Sequence, residues 1–343
     1  ATVTTFLGSL TALFISAKLI SAFSGKGLVP DAVVSDPIFL LSVGLAAALT
    51  VIIATLTGFP ISTTHSLLGA IIGAGLLSAG SRINFNVLGN KFFLPLLLSP
   101  AVSVFLTLII YPCFRFIRIS LGIERQMCLC VGERIEPVCI QQDGTAVLKS
   151  SGFAVTIDQL KNCQQYYYGN ILGFDSQALL NKLHYICAGA VSFARGLNDT
   201  PKIVAFLLVM SAFSFPDERI MPFGILLWRE KSGILIVAVA MAIGGLLNAK
   251  KVALTMSKRV TRMNHGQGLS SNLVTAFLVI FASGWGLPVS TTHVSCGSLF
   301  GIGLVNGEAN FSLIRQIILA WVLTLPLALI LSAVCFFAIS YVR

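Results

Sequence analysis

The stretch GFPISTTHSLLGAIIGAGL, Gly58 to Leu76, returns near the other end of the chain as GLPVSTTHVSCGSLFGIGL, Gly286 to Leu304. Both copies read Gly-x-Pro-x-Ser-Thr-Thr-His. Three glycines come after at matching offsets, Gly69, Gly73 and Gly75 against Gly297, Gly301 and Gly303, all 228 positions apart. A proline, then hydroxyl residues, then an apolar run mark a helix start: the proline breaks the preceding structure and the hydroxyls cap the new helix. The glycines suit close packing against neighbouring helices. A helix that begins inside apolar surroundings leaves unpaired N–H groups and the positive end of its dipole there, which favours an anion. A soluble domain has little use for the same polar tetrad twice. A carrier whose binding site lies between two repeats, on interrupted helices, does.

Composition sets the class. Of 343 residues, 56% are hydrophobic and 10% charged, against roughly 25% charged in an ordinary soluble domain. The apolar stretches Phe39–Thr57, Phe92–Phe116, Gly233–Leu254, Leu269–Phe281 with its continuation, and Leu313–Tyr341 suit a bilayer core that takes about 20 residues of helix to cross. Ala1–Phe23 reads as a first helix without the charged flank of a cleaved leader. The expected fold is an all-α polytopic membrane protein, multi-pass in the cell membrane, built of two inverted repeats with broken or re-entrant helices. The net charge of +10 does not point to nucleic acid. Five of the 23 Lys and Arg lie between Lys250 and Arg262 with no carboxylate among them, a positive-inside loop that belongs in the cytoplasm. Cys128, Cys130, Cys139 and Cys163 share a polar segment but lack paired C-x-x-C units, so reduced thiols are expected there rather than a zinc site.

The repeat extends beyond the tetrads. Asn84-Phe85 is followed by Pro100, and Asn310-Phe311 by Pro326, sixteen residues after each asparagine. This gives a first transmembrane repeat over 1–118, a polar linker over 119–182, expected in the cytoplasm, and a second repeat over 183–343. The linker holds six of the thirteen acidic residues. Its stretch Arg134–Leu148 alternates like short strands around the turn signal Asp143-Gly144.

One element stands alone. Ser192–Lys202, SFARGLNDTPK, lies ahead of the second tetrad, and its counterpart would fall about thirty residues before Ala1. The opening helix of the first repeat is therefore read as missing, with the sequence beginning inside the mature protein. Asp199 is a carboxylate within an apolar segment, by default a functional residue. Gly196 and Pro201 bracket it, which predicts a break in the helix there and freed carbonyls as cation ligands. With Asn198, that set suits a hard cation such as Na⁺. The competing reading pairs Asp199 with Lys202 or Arg195 in a buried polar cluster. His65 and His293 either shuttle protons or pack against a carbonyl, and no direct role is assigned to them.

GLPVSTTH, its earlier copy GFPISTTH, and SFARGLNDTPK together resemble the paired signatures of the inorganic phosphate transporter (PiT) family, over nearly the whole chain outside the linker. The resemblance implies cation-coupled import of inorganic phosphate, with Na⁺ or H⁺ as the coupling ion and no cofactor. It implies anion binding by Ser62, Thr63, Thr64, Ser290, Thr291, Thr292 and Asn198, and cation coupling by Asp199 and Asn198, with no metal beyond a Na⁺ at Asp199. The partners are then phosphate, the cation and the lipid bilayer, with a homo-oligomer left open and no nucleic acid. The chain departs from the family at Leu197, where a small residue is usual, at Arg195, where bacterial members commonly have His, and in lacking the first Asn-Asp signature. A sulfate permease of the same family is the alternative. A membrane hydrolase using Ser62 or Ser290 is a weaker one, because it would need two identical centres without an orienting acid. The chain is accordingly read as a carrier and not an enzyme.

Overall fold

The computed structural model describes residues 1–25, 27–123, 127–140, 146–159, 167–214, 223–246 and 249–342. Twelve helical elements are described: α1 (Thr2–Ile15), α2 (Ala17–Phe23), α3 (Asp31–Val34), α4 (Pro37–Thr57), α5 (Thr63–Ala79), α6 (Phe85–Ser120), α7 (Ser176–Ser214), α8 (Phe223–Leu246), α9 (Ala249–Leu254), α10 (His265–Trp285), α11 (Thr291–Asn306) and α12 (Phe311–Val342). The chain separates into two compact units, one of Ala1–Tyr111 with Cys187–Arg343 and one of Pro112–Ile186.

In the larger unit, similar local structure recurs at corresponding places in the two ends of the sequence. α4 begins at Asp36, whose carboxylate accepts from the Ile38 N–H. Its equivalent α10 begins 228 positions later at Asn264, which forms a reciprocal cap with Gln267. Both helices are 21 residues long. Both end on a glycine in the left-handed region, Gly58 at φ 80° and Gly286 at φ 76°, a conformation that a Cβ would strain. Further on, the Asn84 N–H donates to Leu28 O and the Asn310 N–H to Val260 O. Each asparagine side chain then caps the next helical turn, at Val87 and Leu313.

The tetrad helices pack across the repeat. A Cβ on Gly69 or Gly73 of α5 would run into the backbone of Leu325 or Leu329 in α12, while Gly297 and Gly301 of α11 lie equally close to Pro100, Val104 and Thr107 of α6. Each tetrad helix thus uses its glycines to approach a long helix from the other end of the sequence. Around α5 the core is Phe23, Phe39, Leu68, Ile71, Phe92 and Leu96; around α11 it is Val260, Cys296, Leu299, Phe300, Ile317 and Trp321.

Among the described residues, five helices are long and apolar enough to cross a bilayer: Pro37–Thr57, Thr63–Arg82, Phe85–Ser120, His265–Trp285 and Phe311–Val342. In the most apolar window of Thr63–Arg82, 72% of the residues are buried, against 17% in those of Phe85–Ser120 and Phe311–Val342, so α5 is the more central helix and α6 and α12 are the more exposed ones. Two expectations are corrected here. Ala1–Phe23 is not one helix: α1 and α2 meet at 90° about Ser16. Gly233–Leu254 bends by 66° between Lys231–Leu246 and Lys251–Arg259, and the basic stretch read as a loop is helical from Ala249 to Arg259. Apolar composition reports burial, but not where a helix changes direction.

The smaller unit carries a three-stranded antiparallel sheet in the order β2-β1-β3, with β1 Met127–Ile140, β2 Ala146–Gln159 and β3 Tyr167–Asp175. Val131 pairs with Val155 on one side and with Leu172 on the other. The turn signal Asp143-Gly144 lies outside the described residues, as do Cys163 and the side chains of Cys128, Cys130 and Cys139.

Candidate functional site

Each tetrad forms a helix start of the same geometry. Ser62 has φ −97° and ψ 119°, and its Oγ accepts from the His65 N–H at 3.1 Å; Ser290 has φ −99° and ψ 116°, and its Oγ accepts from the His293 N–H at 3.2 Å. Both serines are buried. Among the described residues neither hydroxyl proton has an acceptor, so each can still be donated to a ligand.

The two starts meet. Thr64 Oγ1 donates to the Val289 carbonyl at 3.4 Å, and the indole Nε1 of Trp321 donates to the Pro60 carbonyl at 2.9 Å. The rings of His65 and His293 stand edge to face, 4.5 Å between centroids, and His293 stacks on Trp321 at 4.0 Å. Among the described residues, both ring nitrogens of the buried His293, and Nδ1 of His65, lack a hydrogen-bond partner that meets standard geometry.

α7 brings the third group. Asn198, Asp199, Thr200 and Lys202 are all buried. Asn198 Nδ2 donates to Asp199 Oδ1 at 3.0 Å and to the Val289 carbonyl at 3.2 Å, while Ser283 donates to Asn198 Oδ1. Thr291 Oγ1 donates to Asp199 Oδ2 at 3.4 Å. The Lys202 ammonium donates to Thr64 Oγ1 at 2.8 Å, the Val289 carbonyl at 2.8 Å and Asp199 Oδ1 at 3.2 Å. Arg195 reaches Asp199 Oδ2 at 3.7 Å from a side chain that is 56% exposed. α1 backs this cluster: Thr200 donates to Ser9 Oγ at 2.7 Å, and Gly196 lies too close to Thr5 and Ser9 to carry a Cβ.

Of the residues singled out in the sequence, Ser62, Thr64, Asn198, Asp199, Ser290 and Thr291 converge. Thr63 and Thr292 are half-buried, with no side-chain hydrogen bond in the described residues. The predicted break at Gly196–Pro201 is absent, since α7 runs from Ser176 to Ser214 through Pro201. A proline removes one N–H from the helix ladder, here the donor to the Leu197 carbonyl, and tight packing on α1 holds the rest in register. One contributor was not legible in advance, the Val289 carbonyl, a backbone acceptor shared by Thr64, Asn198 and Lys202. Lys202, expected as a partner of Asp199, does pair with it and also bonds Thr64 of the first tetrad and the residue before the second. The arrangement offers hydroxyl donors from two helix starts, a carboxylate and an ammonium, all away from water, where charge interactions are strong. That is the chemistry of a site for a small oxyanion and a cation.

Similarities to known proteins give the family and the fold. The model of the phosphate transporter family matches residues 1–332. Proteins named as candidate phosphate permeases in Thermococcus kodakarensis and Pyrococcus abyssi are 28% and 27% identical to this chain, each over 95% of it and 85% of the relative. A solved structure titled "The sodium-dependent phosphate transporter" matches with a TM-score of 0.69 at 20% identity, covering all of this chain and 90% of the other, which shows a shared fold. With the family match running through both tetrads and through Asn198-Asp199, this multi-pass membrane protein belongs to the phosphate transporter family.

Proposed function

We propose that this chain imports inorganic phosphate in symport with a cation, and that the anion is held between the two tetrads. Ser62, Thr63, Thr64, Ser290, Thr291, Thr292 and Asn198 supply the donors; Asp199, with Asn198, carries the coupling to the cation. The observation behind this reading is the meeting of two serine-capped helix starts, each with a hydroxyl proton that has no acceptor among the described residues, the first bonded through Thr64 to the Val289 carbonyl and the second through Thr291 to Asp199. Helix N-termini favour anions, and a half-helix end at mid-membrane is a recurring way to hold one in a carrier. Phosphate near neutral pH still carries a hydroxyl that can donate a hydrogen bond to Asp199, whereas sulfate carries none, which favours phosphate over sulfate. The name of the solved relative favours Na⁺ over H⁺.

The matching halves, 1–118 and 183–343, are read as inverted copies joined by the linker 119–182, so that rocking one against the other exposes the site alternately to each side. Uptake of labelled phosphate into proteoliposomes holding the protein tests the function, with a Na⁺ gradient and a proton gradient imposed separately. Uptake driven by one of the two gradients is expected. Equal uptake without either, or labelled sulfate taken up in preference, would reject the proposal.

A further inference from the structure

A carboxylate that serves a mobile cation should leave room for it, yet the space beside Asp199 is filled from within. The Lys202 side chain is wholly buried, and its ammonium lies within 3.2 Å of three oxygens: the hydroxyl of Thr64, the carbonyl of Val289 and the carboxylate of Asp199. Three donors meet three acceptors, so the head group is fully bonded as an ammonium. The ring of Phe23 covers it at 5.6 Å from the centroid, the arrangement in which a cation is drawn to an aromatic face. Hydroxyl, carbonyl and carboxylate oxygens are also what a hard monovalent cation is bound by. One oxygen comes from the first tetrad, one from the residue before the second, and one from α7.

We infer that Lys202 is a tethered cation that competes with the mobile coupling ion for this single set of oxygens. This rests on the reading of Asp199 as the coupling carboxylate. When Na⁺ takes the oxygens, the ammonium must leave them, and an unpaired charge in a buried site is costly. The partner within reach is the anion held by the tetrads, since Thr64 belongs to one of them. Na⁺ binding then frees the positive charge that phosphate needs, and phosphate holds away the competitor of Na⁺. Each ligand raises the affinity for the other through one side chain, as linkage requires of any such coupling.

The test uses binding of radioactive Na⁺ to the purified protein in micelles, in choline buffer with and without inorganic phosphate. In wild type, phosphate should tighten Na⁺ binding by about tenfold, the size of a typical coupling between two sites. Lys202→Met should bind Na⁺ about tenfold more tightly than wild type without phosphate, and added phosphate should then change little. Combining it with Asp199→Asn should remove the gain. Lys202→Ala repeats the measurement should the Met variant misfold. Folded Lys202 variants whose phosphate-free Na⁺ affinity equals or falls below that of wild type overturn the inference. So does recovery of folding only when Asp199→Asn accompanies the lysine change, because the lysine is then a structural counter-charge. If wild-type Na⁺ binding ignores phosphate, the phosphate reading fails by itself, while the phosphate-free comparison still decides whether Lys202 competes.

Discussion

Gly73→Ala isolates the packing that joins α5 to α12. The added Cβ would lie 2.8 Å from the carbonyl carbon of Leu329 and 2.9 Å from its Cα, and would overlap its oxygen. Carbon atoms sit comfortably at about 3.5–4.0 Å, so α5 and α12 must part by roughly an ångström. A gap of about 0.5–1 Å forfeits a quarter to a half of each dispersion contact along the seam. No flexible side-chain end can yield, because the obstacle is backbone. The cost therefore belongs at the top of the usual overpacking range, about 3 kcal/mol, which is roughly a hundredfold in the folded fraction. Gly44→Ala is the counterpart. It lies within α4 with nothing within 4 Å of its added Cβ, and there alanine should stabilise by about 0.5–1 kcal/mol through helix propensity. Equilibrium unfolding of both variants in mixed micelles reads the difference in sign. If Gly73→Ala is as stable as Gly44→Ala, α5 and α12 do not meet as described.

Further outcomes are expected from other parts of the molecule. Ser62→Ala and Ser290→Ala should each weaken phosphate binding by about 1.5–3 kcal/mol, the worth of one hydrogen bond to a charged group, while the exposed Ser21→Ala leaves calorimetric affinity unchanged; no loss in either tetrad variant would refute the two-sided site. Asp199→Asn leaves the Lys202 ammonium bonded to Thr64 and Val289 and should remove most ion-driven phosphate uptake while the protein stays folded in the membrane; uptake at the wild-type rate would refute the coupling role. Trp321→Phe leaves the Pro60 carbonyl without its donor, at about 1–3 kcal/mol in equilibrium unfolding, and a neutral result would deny that bond. A maleimide should label the exposed Cys113 in the folded protein and reach the buried Cys296 only after denaturation; peptide mass mapping separates the two.

What the sequence made legible was local. A proline, a serine two positions on and a helix start at the next residue can be read without tertiary knowledge, and both caps formed at Ser62 and Ser290. The 90° bend at Ser16 was hidden because serine in an apolar run is a weak breaker and the turn is fixed by neighbouring helices. Pro201 misled in the opposite direction: losing one donor is tolerable where α1 clamps the helix through Gly196. Lys202 was visible three residues from Asp199, but its other two acceptors lie 138 and 87 positions away in the chain, a distance that local spacing does not bridge. The contact between His65 and His293 is implied by the repeat once the two tetrads are known to face one another, and matching positions are its only trace in the sequence.

The crossed glycine seams also set an order for biogenesis. Leu329, on which Gly73 rests, leaves the ribosome some 250 residues after it, an interval of tens of seconds at about 5–20 residues per second. Throughout that wait α5 stands in the membrane with its glycine stripe uncovered. A nascent chain stopped anywhere before α12 therefore presents the same small-residue surface to the bilayer. Such a surface would single out unfinished chains for a membrane protease, and the arrival of the last helix would remove the mark.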